Sequence, residues 1–218
     1  MTDLHRTVTK RLLSVPLVRH AVNVSTPTAA LTVERLTEAA AEAFAVKGFS
    51  ATTTRDIATR AGLSPAGVYV YFGSKEELLF ELSRSGHQAA LALVRAARDE
   101  ASSPPEQLAA IMRRFSEWHV EQVQMARVVY HEHSHLTPAH QAEMLSLRKD
   151  IDGIVRSVLN EGVANGEFVI DDVGDTALAL LSIVIDVARW YSPTIRRTPT
   201  QIGATNAALG LRLVGARR

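Results

Sequence analysis

Apolar residues recur at three- and four-residue spacing through most of this 218-residue chain, the period of helices that bury one face. Leu36, Ala39, Ala40, Ala43 and Phe44 mark a first helix over residues 32–47, which Gly48 should end. Thr53, with Asp56 three residues on, is a capping-box-like start for a second helix. Gly62 should stop that helix where the chain needs φ > 0, and Ser64-Pro65 opens a third as N-cap and N1. The small Ala58 lets a neighbour cross closely, and Ile57, Ala61, Leu63, Val68 and Phe72 should close a three-helix core. A long helix follows from Ser74 to about Ala101, with Glu77 at N3 and a kink expected at Gly86. Further helices are expected from Pro104-Pro105, over 124–133, from Thr137-Pro138 to Ala164 before Asn165-Gly166, over 171–191 and over 200–214. The total is about nine helices in an all-α fold. The 171–191 segment is apolar nearly all round and should be buried on more than one side. The last helix carries Gly203, Ala204, Ala207, Ala208 and Gly210, and these two final helices read as a face that pairs with a second copy in a four-helix bundle.

Composition narrows the classes. The chain has no cysteine, which removes disulfide and thiolate chemistry and fits a cytoplasmic protein. Its longest apolar run, near 177–187, is broken by Ser182 and Asp186 and is too short to span a bilayer, so no membrane partner is expected. No P-loop, dinucleotide fingerprint, G-x-S-x-G or H-E-x-x-H occurs, which argues against an enzyme. Net charge is only +1, but residues 1–75 carry +4 and the remainder −3. A basic amino-terminal part on a mildly acidic body suits a phosphate-facing domain joined to one that does not touch DNA. Residues 1–28 lack a clean period, with Pro16 and Pro27 limiting any helix. They read as a flexible basic extension, either a leader or an arm whose Arg6, Lys10, Arg11 and Arg19 add phosphate contacts.

The stretch 52–75, TTTRDIATRAGLSPAGVYVYFGSK, has the turn chemistry and spacing of a helix-turn-helix. Together with Phe44, Gly48-Phe49, Asp56-Ile57-Ala58, Ala61-Gly62, Tyr71-Phe72, Ser74-Lys75-Glu76 and Leu78, it resembles the DNA-binding domain of the TetR family of regulators. The resemblance implies a homodimer that places two recognition helices in successive major grooves of a palindromic operator in double-stranded DNA. It implies a DNA-facing Thr53, a phosphate contact from Thr54, base or groove contact from Arg55, and a close-approaching helix tip at Ser64, Pro65, Ala66 and Gly67. Tyr69 and Tyr71 would clamp phosphates and Lys75 would add charge. Val70 stands where polar or aromatic residues are frequent, leaving an apolar contact such as a thymine methyl. The corresponding division is an extension over 1–28, a DNA-binding domain over 29–76 and a ligand-binding and dimerisation domain over 77–218.

The body should enclose a cavity for a small apolar effector, with no resident cofactor. Phe115, Trp118, Met125, Tyr130, Met144 and Trp190 supply candidate walls, and His119, His87 and Arg148 polar anchors. The segments YHEHSHLTPAHQAEMLSLRKD and DVARWYSP are similar to relatives controlling lipid or sterol breakdown, which implies an acyl-CoA thioester as effector, with Arg189 and Trp190 contacting its phosphate, adenine or acyl chain. Other readings are another hydrophobic compound, a metal sensed through His131, His133 and His135, or a non-specific DNA-binding protein. In one continuous helix His131 and His135 would share a face while His133 points away. No metal site is assigned.

Overall fold

The computed structural model describes residues 27–216, so the arm residues Arg6, Lys10, Arg11 and Arg19 lie outside the described residues. Helix α1 (Pro27–Ala51) begins five residues before the expected Thr32, because Pro27 has the φ of a first helical residue and starts a helix rather than limiting one. Gly48, at φ 75 and ψ 164, breaks its helical backbone at the expected place. Helix α2 (Thr54–Ala61) opens on the full Thr53–Asp56 capping box and closes on Gly62 at φ 66. Helix α3 (Pro65–Tyr69) follows, with Ser64 as N-cap accepting from Gly67 N–H. Helix α4 (Lys75–Asp99) is capped by Ser74. It runs unbroken through Gly86, contrary to the expected kink. A Cβ at Gly86 would lie 2.6 Å from Met125 Sδ, so the glycine serves a close approach between helices.

The body adds α5 (Pro104–Glu121), α6 (Val123–His131), a 3-10 turn (His133–His135) and α7 (Pro138–Ala164), the last capped by Thr137 as read from sequence. The expected single helix over 171–191 is two pieces, α8 (Val173–Ile185) and α9 (Val187–Trp190), divided at Asp186. Helix α10 (Pro199–Leu213) closes the fold from a Thr198–Gln201 capping box. Among the described residues there is no strand, and none of the helices is long and apolar enough to cross a membrane.

Among the described residues two large apolar cores run along this stack, beside a small one of Val120, Val187 and Ile202. The first joins Leu36, Ala40 and Phe44 of α1, Ile57 and Ala58 of α2, Val68 of α3 and Leu78 and Leu79 of α4. Val128, Leu136 and Met144 enter the same core from the body. The second packs α4, α5, α7 and α8 through Val94, Leu108, Ile111, Phe115, Val155, Leu159 and Leu180. Helix α8 is not buried on more than one side within this chain: its Leu178 is 65% exposed and its Ile185 is exposed too, as are Leu209 and Leu213 of α10. The α10 glycines do not lie on that open face. Cβ atoms at Gly203 and Gly210 would meet Arg113 O and Met112, so they let α10 lie close on α5 of the same chain.

Candidate DNA interface and effector cavity

Each local signal in the helix-turn-helix has a bond behind it. Thr53 Oγ accepts from Asp56 N–H at 3.1 Å and donates to Asp56 Oδ2 at 2.7 Å, so its hydroxyl serves the cap. Lys47 Nζ reaches Asp56 at 2.8 Å, and this bond with those from Thr53 holds the Asp56 carboxyl well below the usual carboxylate range. Thr54 Oγ and Tyr69 OH lie 3.2 Å apart, bringing two expected phosphate contacts together across α2 and α3. Arg55, Ser64, Pro65, Ala66, Tyr69 and Val70 are exposed and Gly67 is half-buried, which leaves the α3 tip and one side of α2 open. Tyr71 is half-buried and packs on the core beneath.

Lys75 is placed differently from its expected role. Its ammonium donates to Phe49 O at 2.6 Å and Thr52 O at 2.8 Å and sits 4.2 Å above the Phe49 ring. Those carbonyls end α1, where a cation is favoured by the helix dipole. The amine is therefore spent inside the protein. Sequence reading missed Arg35, whose guanidinium donates to Ala61 O and braces the turn from α1. No periodicity marks it, because its partner lies 26 residues away.

The second site is a cavity of about 710 Å³ between α5, α6, the α8–α9 bend and α10. Four expected residues line it: His119, Tyr130, Arg189 and Trp190. Five do not. Phe115 is buried behind His119, with ring centroids 4.5 Å apart, and Trp118 packs beside both. Met125 lies against α4 at Gly86, and Met144 belongs to the core under the DNA-binding helices. Arg148 donates to His87 Nε2 at 3.0 Å, so these two expected anchors are paired with each other away from the cavity lining. Sequence reading missed Arg127, Ser182, Asp186 and Asn206, which also line it. Arg127 bonds Ala188 O and Tyr191 O and ties α6 to α9. Asp186 pairs with Arg189 at the exposed mouth, and that bond lowers the Asp186 pKa. Burial pushes the His119 pKa down to about 4, so its ring is neutral near pH 7.

The three alternating histidines take separate places. Helix α6 ends at His131 and the chain continues as a 3-10 turn, so His131 and His135 do not share a helix face as a continuous helix would have them do. His131 lines the cavity, whereas the His135 ring lies tilted against Phe49, centroids 4.7 Å apart, and 3.2 Å from Ser50 Oγ. Among the described residues no group of three or more His, Asp or Glu is arranged to hold a metal.

A braced helix-turn-helix on a helical body with its own cavity defines a DNA-binding regulator rather than an enzyme. Comparison with known proteins carries this further. The family of bacterial regulatory proteins named for tetR matches residues 36–82, and the tetracyclin repressor-like C-terminal domain matches residues 101–214. The chain belongs to the TetR family and is a transcriptional repressor. It is 30% identical over 181 residues to the HTH-type transcriptional repressor KstR2 of Mycolicibacterium smegmatis, covering 82% of this chain and 88% of that one. A tetR-family regulatory protein from Rhodococcus RHA1 superposes with a TM-score of 0.81 at 34% identity, covering 86% of this chain and 98% of that one. The ketosteroid transcriptional regulator KstR2 of Mycobacterium tuberculosis gives 0.76 at 28% identity, covering 92% and 100%.

Proposed function

We propose that this repressor binds a near-palindromic operator as a homodimer, in the cytoplasm, and leaves it when a coenzyme A thioester of lipid or sterol breakdown fills the cavity. The observation carrying the effector reading is the make-up of the cavity mouth. Tyr130 and Trp190 present exposed aromatic surface there beside Arg189, and exposed Arg196 and Arg197 follow in the loop after α9. Aromatic surface suits an adenine or acyl part, and guanidinium groups suit phosphates. The ketosteroid regulator among the relatives points the same way. On the DNA side the contacts fall to Thr54, Arg55, Ser64, Pro65, Ala66, Gly67, Tyr69, Val70 and Tyr71, with residues 29–76 as reader and 77–218 as sensor. Release requires the effector to prefer the non-binding conformation by about 1–3 kcal/mol, the usual size of such a coupling.

The test is footprinting on the DNA upstream of the protein's own coding sequence. A short palindrome should be protected, and decanoyl-CoA or palmitoyl-CoA should abolish protection, with Arg189→Ala shifting the required concentration upward. Protection indifferent to every thioester would remove the coenzyme A reading while leaving the repressor in place.

A further inference from the structure

His119 and His87 are built alike. Each ring sets Nδ1 against the carbonyl four residues back, Phe115 O at 2.8 Å and Ser83 O at 2.7 Å. A carbonyl only accepts, so Nδ1 carries the proton in both neutral rings and Nε2 is an acceptor. The fold gives His87 a donor, the Arg148 guanidinium. His119 receives none at Nε2 among the described residues, although it is 5% exposed and lines the cavity.

Asn206 repeats the pattern. Ser116 Oγ donates to Met112 O at 2.7 Å and therefore accepts from Asn206 Nδ2 at 3.0 Å. That bond fixes the amide and leaves Asn206 Oδ1 as an acceptor, on a buried side chain that lines the same cavity. Ser116 and His119 share one face of α5 at i, i+3, so Asn206, held by Ser116, and His119 line the same stretch of the cavity wall. Both are deep in the cavity, whereas Tyr130, Arg189 and Trp190 stand exposed at its mouth.

Resting on the effector-cavity reading, we propose that His119 Nε2 and Asn206 Oδ1 form an acceptor pair at the inner end of the cavity that selects effectors carrying a hydroxyl on their apolar part. A plain alkyl chain entering there strips both acceptors of water and returns nothing, a loss that buried polar groups make large. A ketone brings a third acceptor and fares no better. A hydroxyl donates into the pair and restores a bond. Sites built to hydrogen-bond a hydroxyl reject analogues lacking it far more strongly than apolar walls reject an extra methylene.

Calorimetry on the full chain with two matched pairs tests this: decanoyl-CoA against 10-hydroxydecanoyl-CoA, and decanoic against 10-hydroxydecanoic acid. The hydroxylated member should bind roughly tenfold tighter or more. His119→Phe, which keeps a ring in place, should bring that ratio close to one. Nitrogen-15 resonances of the His119 ring in the unmutated protein should show Nδ1 protonated and Nε2 bare, with Nε2 shifting when the hydroxylated ligand binds. Equal affinities within each pair, an unchanged ratio in His119→Phe, or a proton on Nε2 overturns the proposal, as does failure of all the ligands to bind at millimolar concentration. Discrimination between the free acids without binding of either thioester would instead strike only the coenzyme A part of the proposed function.

Discussion

Lys75 shows how a residue can sit at the right address and do another task. Its ammonium holds the carbonyls of Phe49 and Thr52, and charged hydrogen bonds of this kind contribute about 1–3 kcal/mol. Lys75→Ala should therefore lower the unfolding free energy of the whole protein, read from urea melts, by an amount in that range. The salt slope of operator binding, which counts phosphates neutralised, should stay the same within about one tenth of its value. A slope that falls by about one with stability unchanged would return Lys75 to the DNA. The residues whose roles were legible from sequence are those with partners three to five positions away. Thr53, Asp56, Gly62 and Ser64 all bond within that span, and turn chemistry states it openly. Asn206 bonds Ser116 across 90 residues and Arg127 bonds Tyr191 across 64, and no local pattern carries such information.

Among the elements, helix existence and caps were readable because proline, serine, threonine and glycine punctuate them. The break between α8 and α9 was not, since Asp186 interrupts an apolar run without any proline or glycine. Helix faces were misjudged for the same reason that glycines were: small residues announce close approach, but not to which neighbour. In α10 they serve α5, while Leu209 and Leu213 stand exposed, as do Leu178 and Ile185 of α8. Large exposed aliphatic residues on two helices are a liability for a monomer and an asset for a bundle with a second copy. Leu178→Glu should leave the helical content intact, shift sedimentation to the monomer and cost the paired protection of both operator halves. A variant that still sediments as a dimer would place the interface elsewhere.

At the scale of the whole molecule, two neutral histidines, His119 buried and His87 half-buried, give stability a pH dependence. Burial pushes both His87 and His119 from 6.5 to about 4 in the folded chain. The unfolded chain binds these protons first, so the stabilisation is fully present above about pH 6.5 and is lost as pH falls toward 4. His119, buried, accounts for roughly 3 kcal/mol of that loss. Urea melts at pH 7.0 and 5.0 should show the decline, and His119→Phe should flatten part of it; parallel melts at both pH values in the unmutated protein would refute it.

The first core also bears on how such repressors could be recombined. Val128, Leu136 and Met144 fill the space beneath α1 and the helix-turn-helix, and Glu132 accepts from Phe49 N–H at 3.1 Å. Side by side, Lys75 grips the DNA-binding half while Glu76 bonds Thr137 N–H and His140 in the body. A chimera cut after residue 76 would carry a reading head whose floor stayed behind in the donor. The transplantable unit is discontinuous: a graft that keeps its shape must take residues 128–144 along with the helix-turn-helix.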